Sequence, residues 1–260
     1  MKFTSLIVAF LSAALTAGAQ QQSQVLLAVF AHPDDEILIG PVLAHYAQNG
    51  VDVYLAIATK GEKGAFPHSG IPAGDQLAKV RREEATCSCQ QLGIKSPIFF
   101  GMNDGEIGSI TRPPGLNVQT VADNVQRLIA ELKPSVVVTW GADGGYGHPD
   151  HRLVSAAVTQ VIQSSASPLK LFYVGFTPED AKRLDEVLPP LRWHATDAKY
   201  LSVGIAVEKS DRAAAVRSLE CHKSQFAPEA MKVAATVTEN RSVIWFRPWS
   251  TDRKSSDLFK

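Results

Sequence analysis

Val25-Leu26-Leu27-Ala28-Val29-Phe30-Ala31-His32-Pro33-Asp34-Asp35-Glu36 changes character halfway along. Six apolar residues in a row read as a buried strand. Pro33 then stands where the first residue of a helix would, so the chain turns from strand to helix here. His32 and Asp35 are three apart and share one face of that first turn. An imidazole nitrogen and a carboxylate oxygen at this spacing make a two-point grip on a divalent metal. Asp34 and Glu36 stand beside that grip, where a carboxylate can serve as general base toward water. Acidic residues are also favoured at helix starts by the macrodipole, so the hexapeptide alone leaves both readings open.

A second stretch has the same grammar. The apolar strand Val136-Val137-Val138-Thr139-Trp140 leads into Gly144-Gly145-Tyr146-Gly147-His148-Pro149-Asp150-His151, again with a proline at the helix start and two histidines three apart. In an open parallel sheet the carboxyl ends of the strands collect in one crevice, so the two corners can face each other. His32, Asp35 and one histidine of the second pair would give three ligands and an open fourth position, the catalytic form of a zinc site.

The pair Ala-His-Pro-Asp-Asp-Glu and His-Pro-Asp-His resembles the LmbE-like, or PIG-L, family of zinc-dependent N-acetylglucosamine deacetylases, over roughly residues 24–226. The family more often has Pro where this chain has Ala31, which is not a ligand position. The resemblance implies an α/β fold: a three-layer, Rossmann-like, mostly parallel sheet with helices on both faces and the active site at the C-terminal strand ends. It implies one zinc ion on His32, Asp35 and His151, with other divalent metals also fitting the ligand set. Asp34 matches the general base, and His148 the histidine that stabilises the oxyanion or protonates the leaving amine. Asp150 could orient His148 and favour its charged form. Tyr146 matches a tyrosine that helps hold the transition state; the alternative is an aromatic lid. Arg81, in Arg81-x-x-Glu84-Ala85 before Leu92-Gly93, matches an arginine reaching toward the sugar, the alternative being an ion pair with Glu83 or Glu84 along its helix. Asp104 matches a sugar-hydroxyl ligand or is simply a turn former. Glu62 belongs to Thr59-x-Gly61-Glu62-x-Gly64, a stretch the family places at the site mouth. Cys221-His222-Lys223-Ser224-Gln225 resembles a His-x-Ser-Gln segment, in which His222 is either functional or a helix-end cation.

The implied substrate is a small amino sugar or glycoconjugate. A same-family amidase acting on a larger amide and a secreted, non-catalytic carbohydrate-binding protein are the alternatives. Asp34 speaks against the second, because metal retention does not need it. A serine hydrolase is excluded by the lack of any Gly-x-Ser-x-Gly elbow.

The 260 residues are 45% hydrophobic, enough for one α/β domain with a full core. Lys+Arg and Asp+Glu both number 26, so the charge balance suggests no electrostatic footprint for nucleic acid. Residues 1–19 carry Lys2, an apolar stretch Leu6 to Leu15 and Ala17-Gly18-Ala19, and read as a cleaved secretory signal with a mature start near Gln20. The expected location is secreted or periplasmic, without stable membrane insertion, and residues 20–260 form a single domain. Cys87 and Cys89 point to different sides of a helix, and three cysteines allow at most one bridge; all three read as small buried hydrophobes. Helices are expected over Asp35–Gln48 with a break at Gly40-Pro41, Asp75–Leu92 with Asp75 as N-cap, Val118–Leu132, Asp150–Ser164, from Glu179, and over Asp211–Cys221. Ser242–Phe246 reads as an edge strand, and 61–74 as a binding loop or lid whose His68 is either an extra ligand or an exposed histidine without a role.

Overall fold

The computed structural model describes residues 24–109, 116–166, 168–188, 191–250 and 254–260. The expected signal segment and the loop 111–115 lie outside the described residues. Among the described residues no helix is long and apolar enough to cross a membrane.

The strands are β1 Val25–Phe30, β2 Asp52–Thr59, β3 Ile98–Met102, β4 Val136–Thr139, β5 Lys170–Gly175, β6 Val203–Ala206 and β7 Val243–Pro248. They form one sheet in the order β3-β2-β1-β4-β5-β7-β6. The first five pair in parallel, and β7 runs antiparallel to both β5 and β6. The order reverses between β1 and β4, the switch point where ligands bind in such sheets. The two motif corners therefore stand side by side at the carboxyl ends of adjacent strands. The edge placement expected for Ser242–Phe246 is corrected: β7 lies inside the sheet, between β5 and β6.

β1 is apolar throughout because both its faces are covered. Leu26, Ala28 and Phe30 face one core layer, while Leu27, Val29 and Ala31 face the other. The first layer holds α1 (Gly40–Gln48), α2 (Asp75–Leu92) and, through Ala214 and Ala215, the helix Lys209–Leu219. The second holds α3 (Leu116–Leu132), whose Val121 and Val125 pack against Val154 and Val158 of the helix Pro149–Ser164. Numbering continues with α4, the single turn Gly144–Gly147, then α5 (Pro149–Ser164), α6 (Pro178–Val187), α7 (Lys209–Leu219) and α8 (Pro228–Asn240). Each fully buried Leu or Val contributes about 1.5–3 kcal/mol, so both layers are needed to hold the sheet.

The break at Gly40-Pro41 is present: a 3-10 turn, Asp35–Ile39, precedes α1. Helical structure starts at Asp35 rather than Pro33, because Asp34 takes φ 124°, outside any helix. In α2 the N-cap is Gly74, and Asp75 is the first helical residue. Helix α8 has no counterpart in the sequence expectations.

The reading of all three cysteines as buried hydrophobes holds only for Cys89. Cys87 in α2 and Cys221 just beyond α7 form a disulfide with Cα atoms 5.9 Å apart, 134 residues apart in sequence. Constraining so long a loop in the unfolded chain should contribute about 2–5 kcal/mol. Replacing both cysteines by Ser should lower the unfolding free energy by that amount in a denaturant titration. An unchanged midpoint and slope would show that the bridge contributes nothing to stability.

Candidate active site

Asp35 ties the two corners together. Its Oδ2 accepts the backbone N–H groups of Ala31 at 2.9 Å and His32 at 3.0 Å, and the indole Nε1–H of Trp140 at 2.9 Å. Its Oδ1 stands 3.3 Å from His151 Nε2. Trp140, at the end of β4, also stacks on the His151 ring at 4.1 Å between centroids. A Cβ at position 145 would come within 2.7 Å of the Trp140 ring, and φ there is +73°, so only Gly145 lets the loop pass this stack. Nothing in the sequence reading singled out Trp140. The signal available was a tryptophan at the carboxyl end of a buried strand, directly before the second motif.

Polar neighbours set the histidine tautomers. His151 Nδ1 lies 3.0 Å from the Gly144 carbonyl, an acceptor only, so Nδ1 carries the proton and Nε2 a lone pair. His32 Nε2 lies 3.1 Å from Asp104 Oδ1 and 3.5 Å from Asp150 Oδ2, aligned with neither as a hydrogen bond. A proton is favoured on that nitrogen, leaving His32 Nδ1 as the other lone pair. His32 Nδ1 and His151 Nε2 then face each other across 3.0 Å, with Asp35 Oδ2 3.9 Å from His32 Nδ1. Two lone pairs beside a carboxylate demand a cation. Ligands about 2.0–2.2 Å from a tetrahedral ion stand roughly 3.3 Å apart, so the donor set fits zinc, and the carboxylates behind His32 are the outer partners such a ligand uses. The surroundings favour positive charge here: burial would lower the His32 pKa, but Asp104, Asp150 and Asp35 outweigh it and raise it well above the usual value.

Two other triads bring single ligand atoms within 4.8 Å of one another, His32–His148–His151 and His32–Asp104–Asp150, and Asp35 stands outside both, offering different oxygens to His32 and His151. Chemistry discriminates among them. His148 Nδ1 accepts the Asp150 backbone N–H at 3.2 Å, so in the neutral ring Nε2 bears the proton and cannot ligate. Asp150 Oδ2 already accepts the Gly105 N–H at 2.8 Å, and Asp104 Oδ2 that of Lys63 at 3.3 Å.

Burial, then His32 and His151, push His148 down to about 4, so it is neutral near pH 7. Asp150 favours the charged form, as expected, and its backbone N–H orients the ring, but burial with His32 and His151 outweighs it. Asp34 is partly exposed, and its Oδ2 lies 2.9 Å from Arg81 Nη2. Burial raises its pKa to about 6; Arg81 opposes the rise and Asp35 adds to it. Tyr146 packs edge-on to His151, with ring centroids 5.3 Å apart, and burial raises its hydroxyl pKa.

The expected sugar ligands are placed differently. Arg81 is only 3% exposed; it donates to the carbonyls of Gly61 at 2.8 Å and Pro33 at 2.5 Å besides pairing with Asp34. A Cβ at position 61 would strike its guanidinium, and φ there is +66°, which explains the glycine. Glu84, the alternative partner for Arg81, instead accepts the Ser224 N–H at 2.7 Å and hydroxyl at 2.6 Å. Glu62 is buried and accepts the Asp104 backbone N–H with both oxygens at 3.1 Å. His222, just beyond α7, takes a carboxylate rather than the helix dipole as its partner: it is fully buried, with Nε2 2.7 Å from Glu36 Oε1, which also accepts the Ser88 hydroxyl. Glu36 Oε2 accepts the Asp34 N–H at 3.0 Å, so this network holds the strained Asp34 backbone. His68 is exposed, with Nε2 3.1 Å from the Lys223 carbonyl.

Metal content of purified variants tests the assignment. His151→Ala and Asp35→Ala should strip the ion, whereas His148→Ala should keep it. Retention in Asp35→Ala together with loss in His148→Ala would move the ion to the three-histidine cluster.

Comparison with known proteins places this geometry. A deacetylase of Mycolicibacterium vanbaalenii, named for 1D-myo-inositol 2-acetamido-2-deoxy-alpha-D-glucopyranoside, is 33% identical over 230 residues, covering 77% of this chain and 80% of its own. The N,N'-diacetylchitobiose deacetylase of Pyrococcus horikoshii shares the fold with a TM-score of 0.63 at 19% identity, over 87% of this chain and 84% of its own. GalB of Pseudomonas putida, a 4-carboxy-2-hydroxymuconate hydratase, does so equally, with a TM-score of 0.63 at 15% identity over 88% of this chain and 97% of its own. The fold alone therefore does not fix the chemistry. The family profile described as GlcNAc-PI de-N-acetylase matches residues 27–162, which include both motif corners, and the chain belongs to this PIG-L family.

Proposed function

We propose that the protein is a zinc-dependent hydrolase that removes the N-acetyl group from an N-acetylglucosamine-type sugar or glycoconjugate. The observation that carries this is the Asp34 carboxylate, which stands beside the His32–Asp35–His151 donor set without being needed by it, its Oδ2 held 2.9 Å from Arg81. The name of the Mycolicibacterium relative, an acetamido-sugar deacetylase, supports the substrate class. Zinc on His32, Asp35 and His151 would supply Lewis acidity, lowering the pKa of water and polarising the amide carbonyl.

The rest of the reaction falls to the chain's own groups. Asp34 takes a proton from water as its oxygen attacks the carbonyl carbon. The neutral His148 ring, its Nδ1 occupied by the Asp150 N–H, presents Nε2–H to the developing oxyanion. Asp34 then returns the proton to the nitrogen as the C–N bond breaks, giving acetate and the free amine. Arg81 and the Glu36–His222 pair position Asp34 and do not touch substrate.

We also propose export, with Ala19 as the last residue removed. The Cys87–Cys221 bridge supports it, because disulfides persist in oxidising compartments and are rare in the cytosol. Amino-terminal sequencing of the native protein should begin at Gln20; a chain retaining Met1 would refute the proposal.

Asp34→Asn leaves the donor set intact, so metal content should stay near wild type while acetate release falls ~10²–10⁴-fold. If the metal is lost instead, Asp34 is a ligand. If acetate release is undiminished, some other group is the base.

Asp34 is a base only when ionised, so kcat/KM should be level above about pH 6 and fall tenfold per pH unit below it. A profile flat from about pH 5 to 8 would remove Asp34 from this role.

A further inference from the structure

An apolar cavity of about 100 Å³ opens directly beside the reacting centre. Asp34, Asp35 and Tyr146 form part of its wall. The remainder comes mainly from the 3-10 turn, α6, α7, α8 and the segment joining the last two, through residues such as Ile37, Leu184, Leu219, Phe226, Ala234 and Val237. None of these residues has a part in the proposed chemistry.

We infer that this cavity takes the hydrocarbon of an N-acyl group longer than acetyl, so that the preferred substrate carries an acyl chain of roughly four to six carbons. The inference rests on the N-deacylase reading above and refines its acyl side. An amide bound at the donor set extends in two directions, the sugar on nitrogen and the chain on carbon. A pyranose presents several hydroxyls, each needing partners, and burying them unpaired is costly. This wall offers few free groups: Thr238 Oγ1 already donates to the Ala234 carbonyl at 2.9 Å, and Arg241 Nη1 to that of Leu38 at 3.0 Å. Buried donors left without partners are Trp193 Nε1 and Arg241 Nη2, on residues 8% and 7% exposed. The cavity therefore suits the chain and not the ring. An acetyl methyl would leave most of it empty. An apolar cavity of about 150 Å³ accommodates benzene, so about 100 Å³ has room for roughly four carbons beyond the carbonyl region.

The test is kcat/KM on glucosamine N-acylated with acetyl, butanoyl, hexanoyl and decanoyl groups. The value should rise by about fourfold per methylene to hexanoyl, then fall at decanoyl, where the chain exceeds the space. Ala234→Phe and, separately, Val237→Phe narrow the cavity and should collapse the hexanoyl-to-acetyl ratio toward or below one, with thermal melting used to establish that each variant is folded. On the wild type, hexanoate should inhibit at lower concentration than acetate, a measurement that needs no variant. Failure to cleave any of the four amides would overturn the deacylase reading itself. Cleavage of the acetyl compound without gain from length, or a gain that survives in both narrowed variants, would overturn only the assignment of the cavity.

Discussion

One carboxylate oxygen holds the centre of this molecule together. Asp35 Oδ2 gathers two backbone N–H groups from the end of β1 and the indole N–H from the end of β4. Charge-assisted bonds of this kind are about twice as strong as neutral ones, and here they join two strands that are neighbours in space but more than a hundred residues apart in sequence. The arrangement also commits the second oxygen, leaving it to face His151. The switch point of the sheet thus becomes a rigid platform, and the imidazoles of both corners inherit their positions from it.

Around this platform the buried polar groups do separate work. Arg81, Glu36 and His222 surround Asp34 and keep it at φ 124°, a conformation that costs a non-glycine residue about 1–3 kcal/mol. The guanidinium holds the carboxylate, and Glu36 holds the N–H. Asp104 and Asp150 stand behind His32 and favour the proton on its Nε2, while Glu62 holds the Asp104 backbone. Acidic residues that look interchangeable along the sequence therefore stand in different settings: Asp34 against Arg81, Asp35 between the two corners, and Glu36 and Glu62 holding backbone.

Periodicity made the α/β architecture legible, and α2 was readable from Asp75 to Leu92 because its glycine stop is unambiguous. The two corners were legible too, since proline and metal-type residues recur at fixed spacing after an apolar strand. Less visible was anything set by distant pairing. Whether Val243–Pro248 lies at an edge depends on β5 and β6, and the chain there alternates in burial either way. Helix α8 is rich in β-branched Val and Thr, and its inward face, Met231, Ala234, Ala235 and Val237, is made of small or partly buried residues, so its sequence signal is weak. The Cys87–Cys221 pairing and the Glu36–His222 contact join segments 134 and 186 residues apart, and no local pattern encodes them. For Arg81 and Asp104, side-chain identity was compatible with reaching a sugar, but burial directs them inward.

The placement of β7 also bears on how the chain assembles. All residues of the donor set precede position 152, and the strands that carry them, with β5, form a continuous parallel block. Among the described residues β6 reaches that block only through β7, so it has no strand partner there until residues 243–248 exist. Closing such distant contacts costs loop entropy before any pairing is gained, which makes it the slower event. The unpaired side of β5 stays open during that interval, and it is there that the growing chain is most exposed to wrong pairing with its neighbours.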